Sequence, residues 1–203
     1  MKRPTLIALK ILVWLACLWP LGWLIWGAVT NNLGADPTAA ITFATGLATL
    51  RILTVSLAIT PVRRLTPRLG WVIKFRRLLG LFAFFYASLH LLTYIALYAD
   101  FDVNAMAADI AKRRYITVGL AAWLLLLPLA ATSTNWAIRK LGGKRWNRLH
   151  KLVYAAAVCG VIHYWWQVKP GVRTPLTITI VLAMLLLARP IQEWMQRRKP
   201  RPA

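Results

Sequence analysis

The sequence predicts an all-α integral membrane protein, a bundle of six transmembrane helices with both termini in the cytoplasm. Three observations carry that prediction. The 203-residue chain is 59% hydrophobic and only 15% charged, with a mean hydropathy of +0.57, a balance that suits lipid and not a soluble domain. The apolar residues fall into blocks close to the ~20 residues a helix needs to cross a bilayer, and in lipid only a helix satisfies every backbone group at that length. The cations gather between the blocks, far more on one side than on the other.

The six blocks run approximately 11–29, 43–62, 78–98, 115–132, 150–168 and 175–191. The first follows Lys2, Arg3 and Lys10, as a signal peptide would. Its apolar run is longer than a signal core of about 7–15 residues, and it carries Trp14, Trp19, Trp23 and Trp26. It is therefore expected to remain as a helix. The second block contains Arg51, the third His90, and the fifth His150 and His163. The fourth closes near Pro128, which like Pro20 and Pro61 suits a kink or a helix end. The sixth has the shortest clean core, Leu176 to Ala188. The connections are too short to hold a soluble domain.

Loop charge sets the orientation. The connection after the second block holds Arg63, Arg64, Arg68, Lys74, Arg76 and Arg77. The one after the fourth holds Arg139, Lys140, Lys144, Arg145 and Arg148, with Lys151 beyond, and the tail adds Arg189, Arg197, Arg198, Lys199 and Arg201. The opposite connections hold only Lys112, Arg113, Arg114, Lys169 and Arg173. The positive-inside rule puts the richer side in the cytoplasm. This topology also accounts for the net charge of +21, from 26 Lys+Arg against 5 Asp+Glu. Nucleic acid is excluded as a partner, because no basic soluble domain exists to bind it. Cys17 and Cys159 stand alone in apolar blocks without a CxxC or CxxCH motif, which leaves covalent haem attachment, zinc and a disulfide framework without support.

The three histidines are the candidate ligands. An ionisable side chain in a membrane span needs a use, and neutral imidazole is a common axial ligand of haem iron. His90 and His163 each lie roughly 18–20 Å from the cytoplasmic ends of two parallel spans. At matching depth they can clamp one haem. His150 lies roughly 20 Å lower, and in a straight helix about 140° away from His163 around the axis. The third span offers it no matching histidine: Arg76 and Arg77 stand there, and guanidinium stays protonated. Hydrogen bonding to a neighbouring helix is the competing explanation for each histidine.

Arg51 is the other misplaced charge, about eight residues inside the second span from its outer end. A haem propionate would supply the anion that the span lacks; snorkelling to the surface is the alternative. Tyr164, Trp165 and Trp166, directly after His163, suit an aromatic belt or the wall of a haem pocket.

Several stretches then carry a resemblance. They are LGADP at Leu33–Pro37, TG at Thr45–Gly46, ITP at Ile59–Pro61, RRLLGL at Arg76–Leu81, SLHLLTY at Ser88–Tyr94, TST at Thr132–Thr134, WNRLHKLVY at Trp146–Tyr154 and HYWWQVK at His163–Lys169. Their order along nearly the whole chain resembles the MsrQ (YedZ) family of haem-binding membrane subunits, within the wider ferric-reductase-like transmembrane group shared with NADPH oxidases. The resemblance implies a single such domain over residues 1–203 in the bacterial inner membrane, with haem b on the third and fifth spans. It implies His90 and His163 as ligands, His150 as the family's third histidine, and electron transfer to a periplasmic MsrP-like molybdopterin reductase that repairs oxidised methionine. Electrons would come from the quinone pool, or from a cytosolic flavin reductase through FMN. The NADPH oxidases have a fourth histidine on the third span; the Arg76 region departs from that pattern. The basic residues Arg76, Arg77, Lys144, Arg145 and Arg148 would suit a flavin phosphate or haem propionates. On this reading the chain is an electron-transfer subunit with membrane lipid around it, and no dehydrogenase domain of its own. A quinol-oxidising cytochrome b for another periplasmic reductase is the alternative within redox chemistry, and a non-redox anchor or transporter the alternative outside it.

Overall fold

The structure, a computed structural model, describes residues 3–168 and 173–198. Lys2, Lys169, Lys199 and Arg201 of the charge pattern lie outside the described residues. Every regular element among those described is helical: α1 (Arg3–Val29), α2 (Pro37–Leu65), a 3-10 segment (Pro67–Phe75), α3 (Arg76–Leu97), α4 (Val103–Lys112), α5 (Arg114–Ala131), α6 (Asn135–Leu141), α7 (Gly143–Leu149), α8 (Leu152–Gln167) and α9 (Thr174–Arg198). Among the described residues, five stretches are long and apolar enough to cross a membrane: α1, α2, the 3-10 segment with α3, α5, and Thr174–Gln192 of α9. The fifth expected span is α8. Its 16 residues reach only about 24 Å, short of a hydrocarbon core of about 30 Å.

The reason α8 is short lies at His150. The expected helix begins there, but His150 instead closes α7, its N–H bonding Trp146 C=O at 2.9 Å. The second span departs in the other direction. It starts at Pro37, six positions before the expected 43, because Asp36 caps it by accepting from Ala39 N–H at 2.9 Å and proline suits the first helical position. Arg51 therefore lies fourteen residues past Pro37, close to the middle of this 29-residue helix and deeper than the sequence suggests. The short helices α4, α6 and α7 occupy connections for which no helix is expected.

Helix α2 is the central element, packing against α1, α3, α8 and α9. One apolar cluster joins Leu50, Leu53 and Leu57 of α2 to Ala83 and Ala87 of α3, Leu126 and Leu129 of α5, and Ala156, Ala157 and Val161 of α8. A second gathers Cys17, Ala48, Ile59, Phe75, Leu79, Phe82 and Tyr86 beneath α1. Tyr86 is fully buried, and its hydroxyl donates to Cys17 C=O at 2.7 Å while accepting from Leu21 N–H at 3.1 Å. Those two groups bracket Pro20. The phenol thus bridges the helix ladder where proline disturbs it, and ties α1 to α3. Trp14, Trp19, Trp23 and Trp26 are at least half exposed on α1, the placement of side chains that meet lipid rather than protein.

Candidate functional site

His90 on α3 and His163 on α8 face one another. Their ring centroids are 5.8 Å apart and the ring planes stand at 82°. The fold achieves this with two flanking helices. His90 Nδ1 lies 2.9 Å from Thr42 C=O of α2, and His163 Nδ1 lies 2.7 Å from Tyr115 C=O of α5. A carbonyl can only accept, so each Nδ1 carries the proton and donates it. Each Nε2 is then the bare lone pair, the form in which imidazole binds a metal. Thr45 Oγ1, at 3.4 Å from His90 Nδ1, is a longer second contact.

The donor set narrows what this pair can hold. Among the described residues no three His, Cys, Asp or Glu side chains gather into a metal site. A bare zinc ion needs three or four protein ligands. Two facing imidazoles alone suit a metal whose remaining ligands come from its own cofactor, as in haem. Two nitrogen–metal bonds of about 2 Å would set the ring centroids on the order of 6 Å apart, and the observed 5.8 Å agrees. Haem fits this pair.

A polar network closes the α4 end of the site. Tyr94, one turn beyond His90, donates its hydroxyl to Asp109 Oδ2 at 3.1 Å. Asp109 pairs with Arg113 at 3.1 Å, and Arg113 Nη1 donates to Tyr115 Oη at 3.4 Å. The Tyr115 ring stands 6.3 Å from that of His163. Helix α4 is thus tied to the residues around both histidines.

His150 sits apart, at the α7 end. It lines a cavity of about 250 Å³ together with Arg76, Arg77, Ser56, Ser133 and Trp146, walled by apolar residues including Leu57, Phe84 and Leu126. Its ring stacks on Trp146 with centroids 3.8 Å apart. The Thr132 hydroxyl has one proton and gives it to Pro128 C=O at 2.6 Å. It therefore accepts from His150 Nε2, 3.1 Å away, so this histidine keeps its proton on Nε2 and its lone pair on Nδ1. Trp146 Nε1 donates to Thr132 C=O at 2.9 Å and fixes the same corner. Standing in the turn before α8, His150 has its pKa lowered to about 4, first by burial and then by the Arg76 guanidinium. It is a neutral imidazole at neutral pH.

The structure thus brings His90 and His163 together, as their depths suggest. It brings His150, Arg76 and Arg77 together around a separate cavity, and Arg77 also donates to Asn135 Oδ1 at 2.6 Å. Arg51 joins neither group: its side chain is exposed on α2, and no acidic residue occurs in that helix. Of the aromatic run after His163, Tyr164 is buried whereas Trp165 and Trp166 are exposed. Sequence reasoning misses the carbonyls of Thr42 and Tyr115 and the stacking partner Trp146. Main-chain acceptors leave no residue-type signal.

Comparison with known proteins agrees with this architecture. Residues 39–161 match the family described as the ferric reductase like transmembrane component. A protein-methionine-sulfoxide reductase heme-binding subunit MsrQ of Herminiimonas arsenicoxydans is 47% identical over 97% of this chain and 90% of its own length. The protein of the same name from Rhodospirillum rubrum is 50% identical over 95% of this chain and 92% of its own. That of Ralstonia nicotianae is 44% identical over 92% and 85%. The chain belongs to the ferric-reductase-like transmembrane family and, within it, to the MsrQ proteins.

Proposed function

We propose, on the premise of that membership, that the chain is the haem-binding membrane subunit of a methionine sulfoxide reductase and carries electrons across the bacterial inner membrane. The observation that supports this best is the facing pair His90 and His163, each with Nδ1 engaged by a carbonyl and Nε2 left as a lone pair. Bound haem b would supply one-electron redox chemistry. The chain's own contribution is to hold the iron through two Nε2 atoms, to keep both Nδ1 protons on Thr42 and Tyr115 carbonyls, and to exclude water with the apolar cluster around α2. A bundle of six spans is proposed, with α8 as its short fifth span and both termini in the cytoplasm. This puts the α4 end in the periplasm and the His150 cavity at the cytoplasmic side.

Electrons then leave from the α4 end to a periplasmic MsrP-like molybdopterin reductase, which returns methionine sulfoxide to methionine. They arrive from the quinone pool, or from a cytosolic flavin reductase through FMN. The cavity with His150, Arg76 and Arg77 is the proposed site of the cofactor that receives them, FMN or a second haem b, with the two guanidiniums meeting phosphate or propionate oxygens. Arg51 is the proposed partner of a propionate on the His90–His163 haem, since a guanidinium in the middle of a span is costly without an anion to meet it. The test is haem-to-protein stoichiometry with flavin analysis on the purified chain, alongside His90→Ala and His163→Ala. Both variants are expected to lose the haem that the pair holds. A haem spectrum that survives each substitution would refute the ligand assignment.

A further inference from the structure

We infer that Gly46 and Gly119 are positioning residues of the haem site: each is the seat of one ligand imidazole, and together they hold the two rings crosswise. The inference rests on His90 and His163 being axial ligands of one iron, as proposed above. Gly46 lies on α2 and Gly119 on α5, the two helices that flank the ligands and carry none. A Cβ at Gly46 would stand 3.0 Å from His90 Cε1 and 3.2 Å from its Nδ1. One at Gly119 would stand 2.7 Å from His163 Nδ1 and 2.9 Å from its Cε1. At both glycines the nearest atoms are all imidazole atoms.

The two seats share one construction. One helical turn before Gly46 is Thr42, whose carbonyl takes the His90 Nδ1 proton. One turn before Gly119 is Tyr115, whose carbonyl takes the His163 proton. Each ring therefore lies against a helix surface, with Nδ1 on a carbonyl and its Nδ1–Cε1 edge over a missing side chain. Alanine is the better helix former, so a glycine in mid-helix calls for a reason. Small residues in membrane helices commonly let two backbones approach. Here an imidazole occupies the space instead. Other helical glycines differ: Gly160 faces a flexible end of Leu50, and Gly22 faces nothing within 4 Å.

The consequence is electronic. Each seat fixes one ring plane, and the planes stand at 82°. Crossed axial imidazoles leave two iron d orbitals nearly equal in energy, and low-spin ferric haem then gives one dominant low-field feature in electron paramagnetic resonance. Parallel rings give a three-line rhombic spectrum. A packing role alone predicts neither.

The experiment uses the full chain purified with its haem, as wild type, Gly46→Ala, Gly119→Ala and Gly22→Ala. Wild type is expected to show the crossed-ring spectrum. Gly119→Ala, with the closer contact, should move it toward the rhombic form, shift the midpoint potential and speed haem loss to apomyoglobin about tenfold. Gly46→Ala should do the same to a lesser degree, and Gly22→Ala should match wild type. A rhombic wild-type spectrum overturns the inference even where a variant fails to accumulate. So do seat variants that keep the wild-type spectrum, potential and rate of haem loss. A wild type with no low-spin haem overturns the ligand assignment itself, which separates the two failures.

Discussion

The His90–His163 pair and the His150 corner use the same side chain in opposite ways. At the pair, main-chain carbonyls take both Nδ1 protons and both Nε2 lone pairs are left for a metal. At the corner, Thr132 engages Nε2, the ring stacks on Trp146, and Arg76 stands close enough to disfavour a charge. The pair is built from backbone acceptors that cannot swing away, whereas the corner is built from side chains around a cavity. Rigid neighbours suit a permanent ligand site. Side chains that can rearrange suit a place where a second group binds or a donor docks. Residue type does not set the role of a membrane histidine; the partner of its second nitrogen does.

Substitutions should separate the two sites. The largest effect is expected from His90→Ala or His163→Ala, which should each abolish binding of the haem they share, read by the reduced-minus-oxidised spectrum. His150→Ala should leave the signal of that haem in place and instead remove or shift a different cofactor signal, or slow reduction from the cytoplasmic side about tenfold, measured by stopped flow in inverted vesicles. Equal spectral losses for all three would erase the distinction. Arg51→Leu should come next, with a displaced midpoint potential or weaker haem retention, and an unmoved redox titration would remove Arg51 from the propionate. Thr132→Val takes away the acceptor of His150 Nε2 and should cost about 1 kcal/mol in stability, checked by thermal unfolding in detergent.

The smallest effect concerns pH. His150 is held near 4, below its ordinary 6.5. The unfolded chain therefore takes up this proton first as pH falls. The contribution to stability is fully present above 6.5 and declines as pH drops toward 4. His150→Gln should flatten that part of the profile of melting temperature against pH. A wild-type profile in the variant would place the titration elsewhere.

Much of this is legible in the order of the residues. Thirteen positions separate His150 from His163 in the chain, and matching depth joins His163 to His90 instead. Span lengths and loop cations point to a helical membrane bundle, and five stretches among the described residues meet the length and apolarity of a span. The short α8 is harder to see. Its apolar block opens at His150, and the α7 cap there moves the start of the helix to Leu152. The depth of Arg51 is hidden for a similar reason: Asp36 and Pro37 start α2 earlier than its apolar residues do.

Periodicity and composition encode the helical class, the apolar spans and the two levels at which histidines stand, because each depends on distance along the chain. Tertiary contacts settle the rest. They choose which nitrogen of each imidazole carries the proton, the crossed angle of the facing rings, the glycine seats on α2 and α5, and the stacking of His150 on Trp146. Most of those features arise between helices distant in sequence, and their key partners are carbonyl oxygens that every residue possesses. No residue code marks them, and only packing brings them within reach.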